Sequence, residues 1–316
     1  MIKKNIILRT SNELGNQMFM YASALNISKK LNRNLLIDNE TAFLLSKNIS
    51  SYGLNHFNIS SPMAPENLKF KNIKGYLKRK FFIKTDFLRF KKKFYIETKN
   101  TNKITQFNFN FLSKSYENNL FIEGHYESEK YFLDIKDEIK KEFQFKDYEI
   151  LKNNNLFRNI YNSNSVAICL RQKRFIEGKG KSNSSNIKKS DNFTLEQINY
   201  INKAAELLKG KIENPQFFLW SNDIENLPTN KFNFNFTKIN PIKINNNLDH
   251  RILSLYLMSF CKHFIVTTST FNWWGAWLSK NENKIIMRPS SNFFSEFKTN
   301  NIDFWPDNWE KIDPTF

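Results

Sequence analysis

The apolar and polar stretches of this chain fall into two runs of the same kind. Ile6-Ile7-Leu8, flanked by polar residues, predicts a short buried strand over 5–9. A turn over 10–15 follows, then a helix over 16–31 with Met18, Ala22 and Leu25 on one stripe, then a second strand over 34–38. Strand, helix and strand, with a short turn at the first strand's carboxyl end, make a βαβ unit. The rhythm restarts near residue 165, with strands expected over 166–170, 216–220, 264–268 and 284–288 and a helix over 249–261. Thr194, with Gln197 three residues on, reads as a capping box. It would open a helix whose apolar face carries Ile198, Ile201, Ala205 and Leu208 and which ends at Gly210. The connection 172–192, which includes Gly178 and Gly180, is then far longer than the roughly 2–6 residues usual between such elements. Basic and rich in Ser and Asn, it reads either as a lid or as a segment without fixed structure.

The polar stretch Lys152-Asn153-Asn154-Asn155 separates the runs. The expected organisation is an N-terminal α/β domain over 1–155 and a C-terminal one over 156–316, two Rossmann-like domains facing a cleft. A chain of 316 residues suits two domains, and 40% hydrophobic residues suffice for two cores.

Charge adds a second theme. The net charge is +18, and segment 69–93 holds eleven Lys or Arg against one acid, Asp86, giving 11 − 1 = +10. Phe70, Ile73, Leu77, Phe81, Phe87, Leu88 and Phe90 are interleaved with that charge. A basic aromatic segment suits an anionic membrane face; a solvated lysine-rich face is the plain alternative. Nucleic acid is disfavoured, because no nucleic-acid motif accompanies the charge. No stretch approaches the roughly 18 apolar residues that span a bilayer, and Ile6-Ile7-Leu8 is too short for a signal sequence. Cys169 and Cys261 lie in apolar segments, and His56, His125, His250 and His263 have no ligand spacing, so neither a disulfide framework nor a metal site is expected.

The chemistry points to phosphate. The apolar, β-branched run Phe264-Ile265-Val266-Thr267-Thr268 hands over to Ser269 and Thr270, which have the chemistry of a helix N-cap. A helix start at the end of a parallel strand offers free N–H groups and a positive dipole end, an anion site. Trp273 and Trp277 lie one turn apart, with Gly275 and Ala276 permitting close approach behind them.

Ser269-Thr270-Phe271-Asn272-Trp273-Trp274-Gly275-Ala276-Trp277-Leu278 resembles the C-terminal signature of bacterial alpha-1,2-fucosyltransferases, glycosyltransferase family eleven. Gly15-Asn16-Gln17-Met18-Phe19-Met20-Tyr21-Ala22 is similar to that family's Gly-Asn-Gln-Met-Phe-Gln-Tyr-Ala. Gly124-His125-Tyr126-Glu127-Ser128-Glu129-Lys130-Tyr131-Phe132 resembles its Gly-Tyr-Trp-Gln-Ser-Glu-Lys-Tyr-Phe. Leu255-Tyr256-Leu257-Met258-Ser259-Phe260-Cys261-Lys262-His263 resembles its Leu-x-Leu-Met-Ser-x-Cys-Lys-His. The blocks stand in family order over 15–278.

The resemblance implies a GT-B-like fold with an acceptor-side N-terminal domain and a GDP-sugar-binding C-terminal domain. It implies inverting transfer of fucose from GDP-fucose to the 2-hydroxyl of a terminal β-galactoside in bacterial surface glycan synthesis, without metal or cofactor. The expected place is the bacterial cytoplasm, with 69–93 peripheral on the membrane's inner face. Another GDP-sugar as donor, or a catalytically weak glycan-binding relative, are the alternatives. The catalytic candidates are Arg171, Asn16 and Glu13; the donor-binding candidates are Gly15, Asn16, Gln17, Arg171, Asp223, Ser269, Thr270 and Phe271. Arg171 is the pyrophosphate contact, at the end of a strand where ligands gather. Where the family reads His-Val-Arg-Arg-Gly-Asp-Tyr, this chain has Cys169-Leu170-Arg171-Gln172-Lys173-Arg174-Phe175, so only the first Arg is kept. Asp223, in Ser221-Asn222-Asp223 against the family's Ser-Asp-Asp, reads as a guanine or ribose contact or as an Asx-turn. Glu13 offers a general base at a position where the family has Gly.

Overall fold

Ile6, Ile7 and Leu8 are fully buried, as are Val166, Ala167 and Ile168. Continuous apolar runs of this kind are what a parallel strand covered on both faces requires. Each run is the spine of one sheet. The computed structural model describes residues 3–44, 51–97, 106–146, 153–177, 183–245, 248–295 and 302–314. The chain divides into two units, 1–146 with 302–304, and 147–301 with 305–316. The expected division was at 155/156; helix α4 (Asn155–Asn162), which leads directly into the second sheet, belongs wholly to the second unit.

The first unit contains β1 (Asn5–Arg9), α1 (Leu14–Lys30), β2 (Asn34–Asp38), α2 (Asn72–Thr85), β3 (Lys92–Ile96), β4 (Tyr116–Glu123) and α3 (Lys136–Glu142). Its sheet is parallel throughout, in the order β2-β1-β4-β3. Helix α1 departs from the expected single apolar stripe, because almost every residue from Leu14 to Ser28 is buried. Its polar side chains are satisfied inside: Asn26 donates to the Tyr131 carbonyl at 2.7 Å and Ser28 to the Leu25 carbonyl at 2.7 Å. A buried polar group without such a partner would cost about 1–3 kcal/mol.

The second unit adds β5 (Asn164–Leu170), α5 (Ser184–Lys209), β6 (Pro215–Ser221), β7 (Thr237–Ile239), α6 (Pro241–Ile244), α7 (His250–Ser259), β8 (His263–Ile265), α8 (Thr270–Leu278), β9 (Ile286–Pro289) and β10 (Glu310–Ile312). The strands are parallel, in the order β10-β9-β8-β5-β6-β7. Trp273 and Trp274 are fully buried and pack edge-on at 5.0 Å, with Trp309 5.4 Å from Trp273. A Cβ on Gly275 would sit 2.4 Å from Met258 Sδ, so α7 and α8 touch through the missing side chain.

Helix α5 corrects the reading of 172–192. It begins ten residues before Thr194, capped by the Asn183 side chain, which accepts from the Asn186 N–H at 2.8 Å. Thr194 lies inside the helix and its hydroxyl bonds back to the Ser190 carbonyl at 2.9 Å, so the capping box does not form. Ser190 and Phe193, both buried, draw the extra turns onto the unit. The connection shrinks to 171–183, of which 178–182, with Gly178 and Gly180, lie outside the described residues.

Candidate functional site

In the second unit, β9, β8, β5 and β6 are neighbours and parallel, so their carboxyl ends share one edge, where ligands of open α/β sheets gather. Arg171 follows β5 directly. Gln197 of α5, fully buried, clamps its backbone: the Gln197 amide donates to the Arg171 carbonyl at 2.8 Å and its oxygen accepts the Arg171 N–H at 3.4 Å. The guanidinium forks onto Glu177, with Nε–Oε1 at 3.2 Å and Nη2–Oε2 at 2.5 Å. A carboxylate thus sits where an anionic ligand of the same bidentate geometry would bind. Gln172, also buried, joins the loops after β5 and β6, its amide donating to Ser221 Oγ at 2.9 Å and to the Asp223 carbonyl at 2.7 Å. The Asp223 carboxylate pairs with Lys173 Nζ at 2.6 Å, and this hydrogen bond holds it below the usual carboxylate range.

The loop after β8 supplies the helix start. Thr267 donates to the Cys169 carbonyl at 2.8 Å, tying it to the end of β5. Ser269 is the N-cap residue of α8 by backbone, but its side chain makes no capping bond, contrary to the N-cap chemistry expected of it. Thr270 and Phe271 open the helix, half-buried, in the first turn, where N–H groups have no intrahelical partner. Arg288 of β9 is half-buried, with its guanidinium 6.0 Å from the Trp305 ring. Burial lowers its pKa. Its Nε and Nη1 have no hydrogen-bond partner among the described residues, and the same holds for Thr268 Oγ1 and Asn272 Oδ1. Leaving a buried polar atom unmatched costs about 1–3 kcal/mol, so the edge is built to receive a polar ligand, with the Arg288 N–H groups open to an acceptor and Asn272 Oδ1 to a donor.

In the first unit, the loops after β1 and β4 meet. Glu13 is exposed and is the N-cap residue of α1 through its backbone only; Gly15 is buried in the first turn. Gln17 does not offer its amide to a ligand. It is fully buried and holds three backbones, donating to the carbonyls of Asn12 at 2.7 Å and Ser51 at 2.9 Å and accepting from the Gly53 N–H at 2.9 Å. Asn16 is half-buried, and its amide donates to Glu127 Oε1 at 3.4 Å. His125 lies between Asn12, whose Nδ2 is 2.7 Å from Nε2, and Glu127, whose Oε1 is 3.4 Å from Nδ1. With the Asn12 amide donating, the lone pair is on Nε2 and the proton on Nδ1, turned to the carboxylate. Glu97 at the end of β3 anchors this loop, accepting the N–H groups of His125 at 2.8 Å and Tyr126 at 3.1 Å. Burial pushes the Glu97 carboxyl up, against the lowering effect of those N–H groups. Tyr126, at φ 51°, carries the kind of backbone strain that collects at functional loops, and Gly124 at φ 148° supplies a conformation that a residue with a Cβ would resist.

The glycosyl transferase family 11 model matches residues 2–313. The chain belongs to glycosyl transferase family 11. Among relatives of this family 11 chain, an alpha-1,2-colitosyltransferase of Escherichia coli is 26% identical, covering 98% of this chain and 99% of its own. The O-antigen biosynthesis glycosyltransferase WbnK of Escherichia coli is 24% identical, over 93% of this chain and 97% of its own. The fold is similar to that of NodZ, an alpha-1,6-fucosyltransferase crystallised and soaked with GDP-fucose, with a TM-score of 0.52 at 13% identity over 87% of this chain and 92% of that one.

The residues around Arg171 that differ from the resembled motif are Cys169, Gln172 and Arg174. Burial pushes the Cys169 thiol up to about 12, so it stays neutral. Gln172 is spent on loop-to-loop bonds, and Arg174 is half-buried. Sequence reasoning passed over Arg288, His125 and Glu127. The first reads as a strand residue, and nothing in its pattern signals unmatched donors. The other two were within reach, because they put an imidazole and a carboxylate where the resembled motif has Tyr and Gln.

Proposed function

We propose that this protein transfers L-fucose from GDP-β-L-fucose to the 2-hydroxyl of a terminal β-galactoside, with inversion, in bacterial surface glycan synthesis. The observation that carries this reading is the edge of the second sheet, where Arg171 follows β5, Arg288 lies on β9 and α8 starts after β8, in a chain whose residues 2–313 match family 11. In one displacement the acceptor oxygen attacks the anomeric carbon and the bond to the diphosphate oxygen breaks. GDP leaves with the electron pair, and its growing charge is met by the guanidinium groups and the helix start. Asp223 is assigned to the nucleoside, once Lys173 is displaced from it. The acceptor's proton goes to His125 Nε2 once the Asn12 amide is displaced from it, with Glu127 stabilising the imidazolium formed; the motifs resembled above carry neither residue, so this assignment is for this chain alone.

Incubation with lactose and a panel of GDP-sugars, with products analysed by mass and linkage, tests the proposal. An α-1,2-linked fucoside is expected, and its absence with every galactoside acceptor would remove the reading. A second donor is favoured by the colitosyltransferase relative and by the altered residues around Arg171. Colitose is fucose without its 3-hydroxyl, so preference for it would show as a higher kcat/KM for the deoxy donor in the same panel.

A further inference from the structure

We infer that α2 and the turn after it form a docking surface for an anionic lipid bilayer. Helix α2 has two apolar faces, and the fold uses only one. Phe82 and Ile83 pack with Phe70 onto Ile7, Phe94 and Phe121, and Arg79 is forked on Glu123. On the other side Ile73, Leu77 and Phe81 recur every fourth residue and form a stripe one turn apart. Phe87, Leu88 and Phe90 follow in the turn after the helix. These six side chains are between 58% (Leu77) and 90% (Phe90) exposed. Isolated exposed apolar residues need no explanation, but a contiguous row of large ones marks an interaction surface.

The charge around the row identifies the partner. Lys69 and Lys71 are paired with Glu40 and Glu66, and Arg89 and Lys93 with Glu117. Lys74, Lys78, Lys80, Lys84 and Lys91 are exposed and make no ion pair with a carboxylate among the described residues. On the helix, Lys80 and Lys84 flank one side of the stripe and Lys74 and Lys78 the other. The segment's one acid is turned away: Asp86 accepts the backbone N–H groups of Lys93 at 2.8 Å and Phe94 at 3.4 Å. An apolar ridge between two rows of lysines that have no carboxylate partner fits an interface where rings and aliphatic chains enter the acyl boundary and ammonium groups meet phosphates, with Lys80 also lying over Tyr76 at 4.5 Å. A second copy laid on the same face would set lysines against lysines, and nucleic acid would strand Ile73 and Leu77 without an apolar partner.

The test is co-sedimentation of the full chain with vesicles of phosphatidylcholine alone or with phosphatidylglycerol added. Partition should rise at least ~10-fold with the anionic lipid and fall as salt screens the lysines. The triple variant Phe81→Ser/Phe87→Ser/Phe90→Ser and the quadruple variant Lys74→Gln/Lys78→Gln/Lys80→Gln/Lys84→Gln should each lose most of that gain while keeping the wild-type circular dichroism spectrum and melting temperature. In a Phe81→Trp variant, emission should shift to the blue with anionic vesicles and be quenched by brominated acyl chains. Equal recovery with both vesicle types at low salt overturns the proposal, as does full retention by either multiple variant. Sedimentation velocity without lipid is the remaining arm: a dimer dispersed by the phenylalanine changes would assign the face to self-association instead.

Discussion

Arg171 carries the sharpest prediction at the scale of single residues. Its fork is already closed on Glu177, so a diphosphate must displace a carboxylate to bind. Arg171→Ala should lower kcat/KM by about two to three orders of magnitude, the scale of one preorganised transition-state donor. Arg171→Lys should rescue little, since a point charge lacks the fork. Arg174→Ala should act mildly, on donor KM. Near-wild-type turnover in Arg171→Ala with loss in Arg174→Ala would assign the diphosphate to the other arginine. Glu177→Gln should tighten GDP by roughly 2–5-fold, the worth of a part-exposed ion pair; calorimetry that finds weaker binding would make Glu177 a support of the loop. Glu97 predicts a pH effect. Its folded pKa lies above the ordinary value of 4.5, so its contribution is fully present below that value and is lost as pH rises through the folded pKa. Melting temperatures of wild type and Glu97→Gln across mildly acidic pH should diverge in that sense; parallel curves would show that the carboxyl titrates normally.

At the scale of elements, Gly124 is where backbone and packing meet. Its φ of 148° strains any residue with a Cβ, and that Cβ would lie 2.4 Å from Glu97 Cβ. Gly124→Ala should destabilise the protein by about 1–3 kcal/mol and lower activity further by moving His125; an unchanged denaturation midpoint would refute the strain. Part of the strand set was legible, because apolar runs between turn residues suffice to mark a covered parallel strand: 5–9 and 34–38 are found where the pattern puts them. The expected strand over 264–268 ends at Ile265, and β3, β4, β7 and β10 were not read at all. Helix α5 was half legible. Ser184 to Asp191 are mostly polar and show little periodicity, and Thr194 with Gln197 imitates a start. Gln197 faces inward instead and holds Arg171, a role that depends on the fold bringing α5 under the end of β5. The positions of Arg171 after β5 and of a helix start at Thr270 after β8 were legible. Arg288 was not, because unmatched donors are a property of surroundings assembled from distant segments.

At the scale of the whole molecule, the reading assigns the leaving diphosphate to protein cations and a helix start alone, so turnover should survive excess EDTA. Loss with chelator, restored by Mg²⁺ or Mn²⁺, would require a metal in that role. The chain's path has one more consequence. Residues 302–304 return to the first unit after the second has been built. There Asp303 binds Lys130 Nζ at 2.9 Å and the Phe107 N–H at 3.1 Å, and Phe304 packs 6.2 Å from the Phe19 ring. A gene fragment ending at 146 would take the Asp303 carboxylate from that ammonium and that amide, and one of its ring neighbours from Phe19. Family 11 chimeras that exchange one specificity for another therefore need three junctions rather than one. The short returning segment must travel with the first unit, although the whole of 147–301 stands between them in the sequence.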